Sequence, residues 1–200
     1  MNMKKPLFVV GGPGSSGAST IAKMLAEYFD LERVYSGGIF REIVASQGYA
    51  TLDDFYIANK GNKEKFFEID RQVDALILER AKKGNVLVDS KAFGALATIN
   101  DISCTAKIWL DADMDTKIKR FLGKQGEMSV PKKIFLYIKT YFDLTRRKRN
   151  DGRRFKELYG IDYNNPDLYN DIVLNTSGIN AEETFDLILS KLKDGGYVCE

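Results

Sequence analysis

The glycine-rich turn at residues 11–20, which reads GGPGSSGAST, has the spacing of a phosphate-binding loop. It follows an apolar run at residues 7–10 and leads into a segment with helical periodicity. Gly12 and Gly17 fill the two glycine positions of the pattern G-x-x-x-x-G-K-(S/T), and Ser19 fills the hydroxyl position that holds Mg²⁺. Backbone N–H groups and the start of the following helix attract phosphate without a cationic side chain. The residues predicted to contact phosphate are Gly12, Pro13, Gly14, Ser15, Ser16, Gly17, Ala18, Ser19 and Thr20.

The lysine position of this pattern holds Ala18. A lysine there would place a positive charge on the phosphoryl group that a kinase transfers. If the chain is a kinase, other cations must supply that charge. The alternative interpretation is a glycine-rich strand-to-helix turn that binds no ligand.

The composition is that of an ordinary globular protein, and it excludes several kinds of catalytic site. The chain has 200 residues, of which 44% are hydrophobic, and a net charge of +2, which suits one domain with a full core. Because the chain contains no histidine, Ser-His triads, histidine metal sites and histidine acid–base chemistry are excluded. Cys104 and Cys199 are far apart in sequence, so neither a disulfide framework nor a metal cluster is indicated.

No apolar run reaches the length that a bilayer-spanning helix needs. Residues 1–5 lead straight into the first strand rather than into the apolar region of a signal peptide. We therefore expect a cytoplasmic protein without a membrane partner.

Five short segments are predicted to be strands that alternate with helices. They cover residues 7–10, 32–35, 85–89, 105–111 and 171–175. The third is continuously apolar and ends on Asp89, which is typical of a buried parallel strand with a functional carboxylate. Two or three helices are expected before it, the first of them capped by Ser36. This order predicts an α/β fold in which a five-stranded parallel sheet is covered by helices on both faces.

A basic and aromatic stretch lies at residues 117–156, where the acids are limited to Glu127, Asp143 and Asp151. The simplest interpretation of its lysines is a solvated helix face. Its apolar cluster could close over a substrate, pack on the core or form a dimer face. The cluster consists of Phe135, Leu136, Tyr137, Ile138, Tyr141 and Phe142.

Several short motifs resemble those of nucleoside monophosphate kinases, and most of all those of the archaeal-type cytidylate kinases. They follow one another in the family's order over nearly the whole chain. The matching stretches are residues 12–20, SGGIFRE at 36–42, EIDR at 68–71, KIWL at 107–110, RFKELYGID at 154–162 and DIVLNT at 171–176. This branch often has threonine in the lysine position of the loop, so Ala18 is a smaller departure than it first looks.

The resemblance implies one P-loop kinase domain over residues 1–200, of the P-loop NTPase type, that uses ATP and Mg²⁺. It implies a helical NMP-binding insertion at about residues 37–84 and a lid at about residues 123–156. Ser19 and Asp89 would hold Mg²⁺. Arg147 and Arg154 match lid arginines that neutralise the transferred phosphoryl group, so they and Asp89 are the implied catalytic residues.

The acceptor nucleotide is implied to contact Ser36, Arg41, Asp70, Arg71 and Lys91. Arg41 would hold the acceptor phosphate, because a guanidinium can bind phosphate through two hydrogen bonds. The alternatives are that Ser36 only caps a helix and that Asp70 and Arg71 only pair across a helix face.

The sequence departs from the family at residues 89–91, which read DSK where the family has Glu-Gly-Arg. Asp89 keeps a carboxylate, but Lys91 lacks the planar fork of arginine, which leaves base selection open. The preferred hypothesis is transfer of the ATP γ-phosphoryl group to CMP or dCMP by a monomer or a homodimer. The alternatives are a kinase for another small acceptor and a nucleotide- or RNA-binding relative without turnover. Nucleic acid is therefore a less favoured partner than small nucleotides.

Overall fold

The computed structural model describes residues 5–198, so Cys199 lies outside it, and it contains a five-stranded sheet with helices on both faces. The strands are β1 Leu7–Gly11, β2 Glu32–Tyr35, β3 Val86–Asp89, β4 Ala106–Asp111 and β5 Ile172–Asn175. Their order is β2-β3-β1-β4-β5, and each neighbouring pair is parallel. The predicted fold class and strands are confirmed, and the central strands β1 and β3 are buried throughout, as expected for continuous apolar runs.

Helices fill the connections between these strands. The helix after β1 is α1 Ala18–Tyr28, and β2 is followed by α2 Ser36–Ser46, α3 Leu52–Ala58 and α4 Lys63–Lys83. The connection from β3 to β4 contains α5 Phe93–Ile99. After β4 come α6 Met114–Gly123, α7 Val130–Tyr159 and a 3₁₀ turn at Pro166–Leu168, and β5 is followed by α8 Ala181–Asp194.

Strand β1 shows why both faces of the sheet are covered. Its alternate side chains point to opposite faces, and all of them are apolar. Phe8 and Val10 pack with residues of α1 and α8 on one face, whereas Leu7 and Val9 pack with residues of α2 to α5 on the other. Because both faces are buried, polar functional groups collect at the edge where the parallel strands end.

The prediction that Ser36 caps the helix after β2 is wrong. The N-cap is Tyr35, whose backbone is still extended at φ −98° and ψ 107°, and Ser36 is already the first helical residue. The N-cap makes no hydrogen bond through its side chain. The chain thus passes from strand to helix one residue earlier than the serine suggested.

Helix α7 spans 30 residues and has two different faces along its first half. Thr140 and Leu144 are buried, and Leu136 packs against the cluster that Leu144 forms with α6. On the other sides of the helix, Phe135 and Phe142 are each 65% exposed. Tyr137, Ile138 and Tyr141 are also exposed, to a smaller extent. Of the six residues in the predicted apolar cluster, Leu136 is therefore the one that packs on the core.

Between residues 5 and 198, no helix is long and apolar enough to cross a membrane.

Candidate active site

The glycine loop joins β1 to α1 at the carboxyl edge of the sheet. Strand β1 lies between β3 and β4 in the sheet, so the strand order reverses beside the loop. Open α/β sheets bind ligands at such a position, outside the carboxyl ends of the strands. A Cβ at Gly12 would lie 2.2 Å from the Leu110 carbonyl oxygen, so only glycine fits there. Gly17 has φ +97° and serves as the N-cap of α1. A glycine cap leaves the first-turn N–H groups without a capping side chain, as a phosphate site requires.

The back of the loop is fixed by Arg120, a residue that the sequence analysis did not single out. Its Nη1 donates to the Ser16 carbonyl oxygen at 2.7 Å, and its Nη2 donates to the Thr176 carbonyl oxygen at 2.8 Å. The Thr176 hydroxyl also donates to the Ser16 carbonyl oxygen, at 3.1 Å. Arg120 lies among many cations in the sequence, so its type alone carried no signal for this role. The loop is thus braced by α6 and by the residue that follows β5.

Ala18 is 6% exposed and its methyl group belongs to the core on the α1 side of the sheet. Its side chain packs with Ile21 and Leu25 of the same helix. The position is therefore part of the packing of α1, and any positive charge at the loop must come from another element.

Asp89 and Ser19 come together beside the loop. Asp89 is 5% exposed at the end of β3, and its Oδ1 accepts a hydrogen bond of 3.2 Å from the Ser19 hydroxyl. Its Oδ2 accepts from Arg33, a second residue that the sequence analysis missed. Hydroxyl and carboxylate oxygens suit Mg²⁺, which keeps waters and phosphate oxygens as its other ligands. Because residues 5–198 contain no cluster of three acidic or cysteine ligands, these two groups fit a phosphate-bound Mg²⁺ better than a protein-only site.

Ser36 is the first residue of α2, next to the end of β2, and Arg41 lies in the second turn of the same helix. The Arg41 guanidinium carbon is 5.2 Å from the centre of the Tyr35 ring. This ring also touches the backbone of the turn, since a Cβ at Gly37 would lie 2.8 Å from the Tyr35 hydroxyl. The cation–π contact orients Arg41, whose donors are left for an anionic ligand.

The remaining predicted residues form a charged network between α4 and α7. Arg154 Nε lies 3.2 Å from Asp70 Oδ2, near enough for an ion pair but not aligned for a hydrogen bond. Arg154 Nη2 donates to Asp151 at 3.2 Å, and Lys91 Nζ donates to the other oxygen of Asp151 at 2.7 Å. Burial raises the pKa of Asp70, and the charge of Arg154 partly offsets this rise. The network brings together four charged residues from three parts of the sequence that lie far apart.

The alternative in which Asp70 and Arg71 pair with each other across a helix face is not what the structure shows. Arg71 lies 3.6 Å from Glu64 and is exposed, whereas Asp70 is buried against Arg154. Adjacent helical residues point about 100° apart, so they do not face each other. Arg147, one of the two arginines predicted to act on the transferred phosphoryl group, lines a cleft with Pro13 and Gly14 of the loop.

Beside this network, the Tyr159 hydroxyl of α7 donates to Asp74 of α4. Burial raises the pKa of Asp74 to about 6, while the hydrogen bond from Tyr159 opposes this rise. A raised pKa in the folded state means that Asp74 stabilises the fold below the unfolded pKa of about 4. That stability is lost as the pH rises through about 6.

We therefore expect Asp74→Asn to be more stable than the unmodified chain at pH 7.5, by about 1 to 3 kcal/mol. Asparagine keeps an oxygen acceptor for Tyr159 and is neutral at every pH. Denaturant unfolding between pH 4.5 and 7.5 measures the effect, with the exposed Glu79→Gln on the same helix as control. A stability gain that stays constant over this pH range would contradict the prediction.

The parallel sheet, the glycine loop and the Ser19–Asp89 pair define a P-loop nucleotide-binding protein. A protein-family model described as an AAA domain matches residues 10–134. The chain is 32% identical to a cytidylate kinase from Pyrococcus horikoshii, over 94% of this chain and 88% of the relative. It is 30% identical to a cytidylate kinase from Methanopyrus kandleri, over 91% of this chain and 90% of the relative. The chain belongs to the AAA-domain proteins and to the cytidylate kinase family.

Among solved structures, shikimate kinase from Bacteroides thetaiotaomicron matches with a TM-score of 0.56 at 12% identity. The match covers 94% of this chain and 98% of that structure. At this identity the likeness concerns the fold alone. It agrees with a P-loop kinase architecture, and the resemblance found in the sequence motifs is confirmed by the curated relatives.

Proposed function

We propose that the chain transfers the γ-phosphoryl group of ATP to CMP or dCMP, giving ADP and the nucleoside diphosphate. The observation that carries this proposal is the glycine loop with the Ser19–Asp89 pair at the end of β3. The choice of CMP follows from relatives named cytidylate kinase that match nearly the whole chain. Phosphoryl transfer needs alignment and charge neutralisation but no covalent intermediate, which suits a chain without histidine.

The loop backbone would bind the ATP phosphates, and residues 37–84 and 123–156 would serve as the NMP-binding insertion and the lid. Arg41 would hold the acceptor phosphate in line with the ATP phosphates. Arg147 and Arg154 would bring positive charge to the transferred group. Mg²⁺ held by Ser19 and Asp89, when bound, would neutralise charge on the ATP phosphates.

Base selection is proposed to involve the region of Asp70, Arg71, Ser36 and Lys91. Lys91 is already paired with Asp151, and Asp70 with Arg154, so these side chains are held in position before a nucleotide binds. A prepositioned set of donors and acceptors lowers the entropy cost of recognising one base edge.

A coupled assay for ADP formation with each nucleoside monophosphate and deoxynucleoside monophosphate tests the proposal. We expect CMP and dCMP to give at least about 10-fold higher kcat/KM than the other acceptors, equivalent to roughly 1.4 kcal/mol of discrimination. EDTA should abolish turnover if Mg²⁺ is required. Higher activity with another acceptor would replace CMP, and ATP binding without ADP formation would favour a nucleotide-binding protein without turnover.

ATP and nucleoside monophosphates are substrates of cytoplasmic metabolism, which supports a cytoplasmic location as a proposal. For the oligomeric state, we propose a monomer or a homodimer, and sedimentation equilibrium distinguishes the two.

A further inference from the structure

An arginine of the edge strand β2 lies against the carboxylate that is proposed to hold Mg²⁺. Arg33 and Tyr35 are two residues apart and share one face of β2, and Tyr35 is paired with Asp89 in the register between β2 and β3. Arg33 Nη2 donates to Asp89 Oδ2, while the Ser19 hydroxyl of the loop donates to Oδ1. The guanidinium of Arg33 and the loop hydroxyl therefore share one carboxylate.

The Tyr35 ring connects this arginine to the acceptor side of the site. The guanidinium carbons of Arg33 and Arg41 lie 4.8 Å and 5.2 Å from the centre of that ring. Arg33 thus contacts both Asp89 beside the loop and the aromatic ring that also contacts Arg41, the arginine proposed to hold the acceptor phosphate.

Arg33 also has donors that the protein leaves unused. Its Nε is enclosed by the protein, so a ligand could reach Arg33 only through the terminal nitrogens of a side chain that is 26% exposed, and Nη1 has no hydrogen-bond acceptor within residues 5–198. A guanidinium has five N–H donors, and Asp89 accepts a hydrogen bond from one nitrogen of the Arg33 guanidinium. A tetrahedral anion offers several oxygens, and it would satisfy donors that a single carboxylate leaves unpaired.

Two other cations near the loop are already engaged, whereas Arg147, which lines the cleft with Pro13 and Gly14, is an exposed residue of α7 that no partner within residues 5–198 fixes. Lys117 is buried in an ion pair with Asp111, and Arg154 is paired with Asp70 and Asp151. Ala18 is a core residue of α1 and contributes no charge. Arg33 therefore has the position and the unused donors that the loop lysine position lacks.

We propose that Arg33 binds the γ-phosphoryl group of ATP and is the fixed cation of phosphoryl transfer in this chain. The inference rests on the proposed function. In the transfer, the bond from the γ-phosphorus to the bridging oxygen breaks, and its electron pair stays on ADP. A new bond forms between the γ-phosphorus and an oxygen of the acceptor phosphate. Arg33 stays protonated and exchanges no proton.

Two measurements on Arg33→Ala and Arg33→Gln test this inference. The first is binding of ATP and of ADP in the presence of Mg²⁺, because only ATP carries the group that Arg33 contacts. We expect the preference for ATP over ADP to fall about 10-fold, with ADP affinity nearly unchanged. The second is kcat at saturating substrates and Mg²⁺, which should fall about 100-fold. Arg33→Lys should restore part of the kcat.

The matched control is Arg80→Ala, which removes an exposed arginine 3.8 Å from Glu32 of the same strand. It should keep both properties within about twofold, since surface ion pairs contribute little. If Arg33 only neutralises Asp89, its variants will lower the melting temperature or raise the Mg²⁺ requirement and keep the ATP preference. That result would overturn the inference.

The binding measurement separates this inference from the proposed function. A chain that forms no ADP, but loses its ATP preference in the Arg33 variants, would retain the inference and reject the kinase proposal. An active chain whose Arg33 variants keep normal kcat and normal ATP preference would retain the kinase proposal and reject the inference about Arg33. Arg33→Gln keeps the length of the side chain, so it provides a folded variant if Arg33→Ala does not fold.

Discussion

Arg154→Ala should lower kcat by about 1000-fold while the dissociation constant of ATP stays within a few-fold of normal. The reason is that a lid arginine contributes mainly in the transition state, where charge spreads over the transferred phosphoryl group. The structure holds Arg154 between Asp70 and Asp151, so the guanidinium is already ordered at the α4–α7 contact. Steady-state kinetics with CMP and equilibrium titration with ATP measure the two quantities.

The ion pair with Asp70 requires a control for folding. Removing Arg154 leaves a buried carboxylate without its partner, which alone can destabilise a protein by about 3 to 5 kcal/mol. Asp70→Asn combined with Arg154→Ala removes both charges, so a purely structural Arg154 predicts recovery of kcat in the double variant. Failure of the double variant to recover, with a normal melting temperature, supports contact with the phosphoryl group. Arg153→Ala, the exposed neighbour, should retain normal turnover.

Arg41→Ala should raise KM for the acceptor by about 30- to 1000-fold and leave ATP affinity nearly unchanged. This range corresponds to about 2 to 4 kcal/mol, the cost of breaking a charged hydrogen-bonded pair with phosphate. Arg41 lies in the second turn of α2, where the Tyr35 ring orients its guanidinium. Initial rates at varied CMP and fixed saturating ATP give the acceptor KM.

A matched lysine at this position tests the geometry of the contact. Arg41→Lys keeps the charge but loses the planar fork that binds two phosphate oxygens, so it should recover only part of the affinity. Arg80→Ala is again the control, because Arg80 lies on α4 and pairs with Glu32. Equal weakening of ATP and acceptor binding by Arg41→Ala would show that the residue supports the fold of the site rather than the acceptor phosphate.

The parts of this protein that depend on local interactions were readable from the sequence. The five strands were predicted correctly, four of them from mainly apolar runs that are buried in the sheet, whereas β2 contains Glu32 and Arg33 and has one buried residue. The loop could be recognised because its glycines meet local steric requirements, namely the positive φ of Gly17 and the close approach of Leu110 to Gly12. The helix that follows the loop was also expected from its apolar spacing.

Other features depend on which elements become neighbours, and only the tertiary structure decided them. Arg33 meets Asp89 because β2 and β3 pair side by side although 56 positions separate the two residues. Arg154 meets Asp70 because the end of α7 crosses α4, a contact that no local pattern encodes. Arg120 braces the loop only because α6 passes behind Ser16. A side chain's type specifies the interactions that it can make, whereas its partner is set by the packing of segments that are distant in sequence.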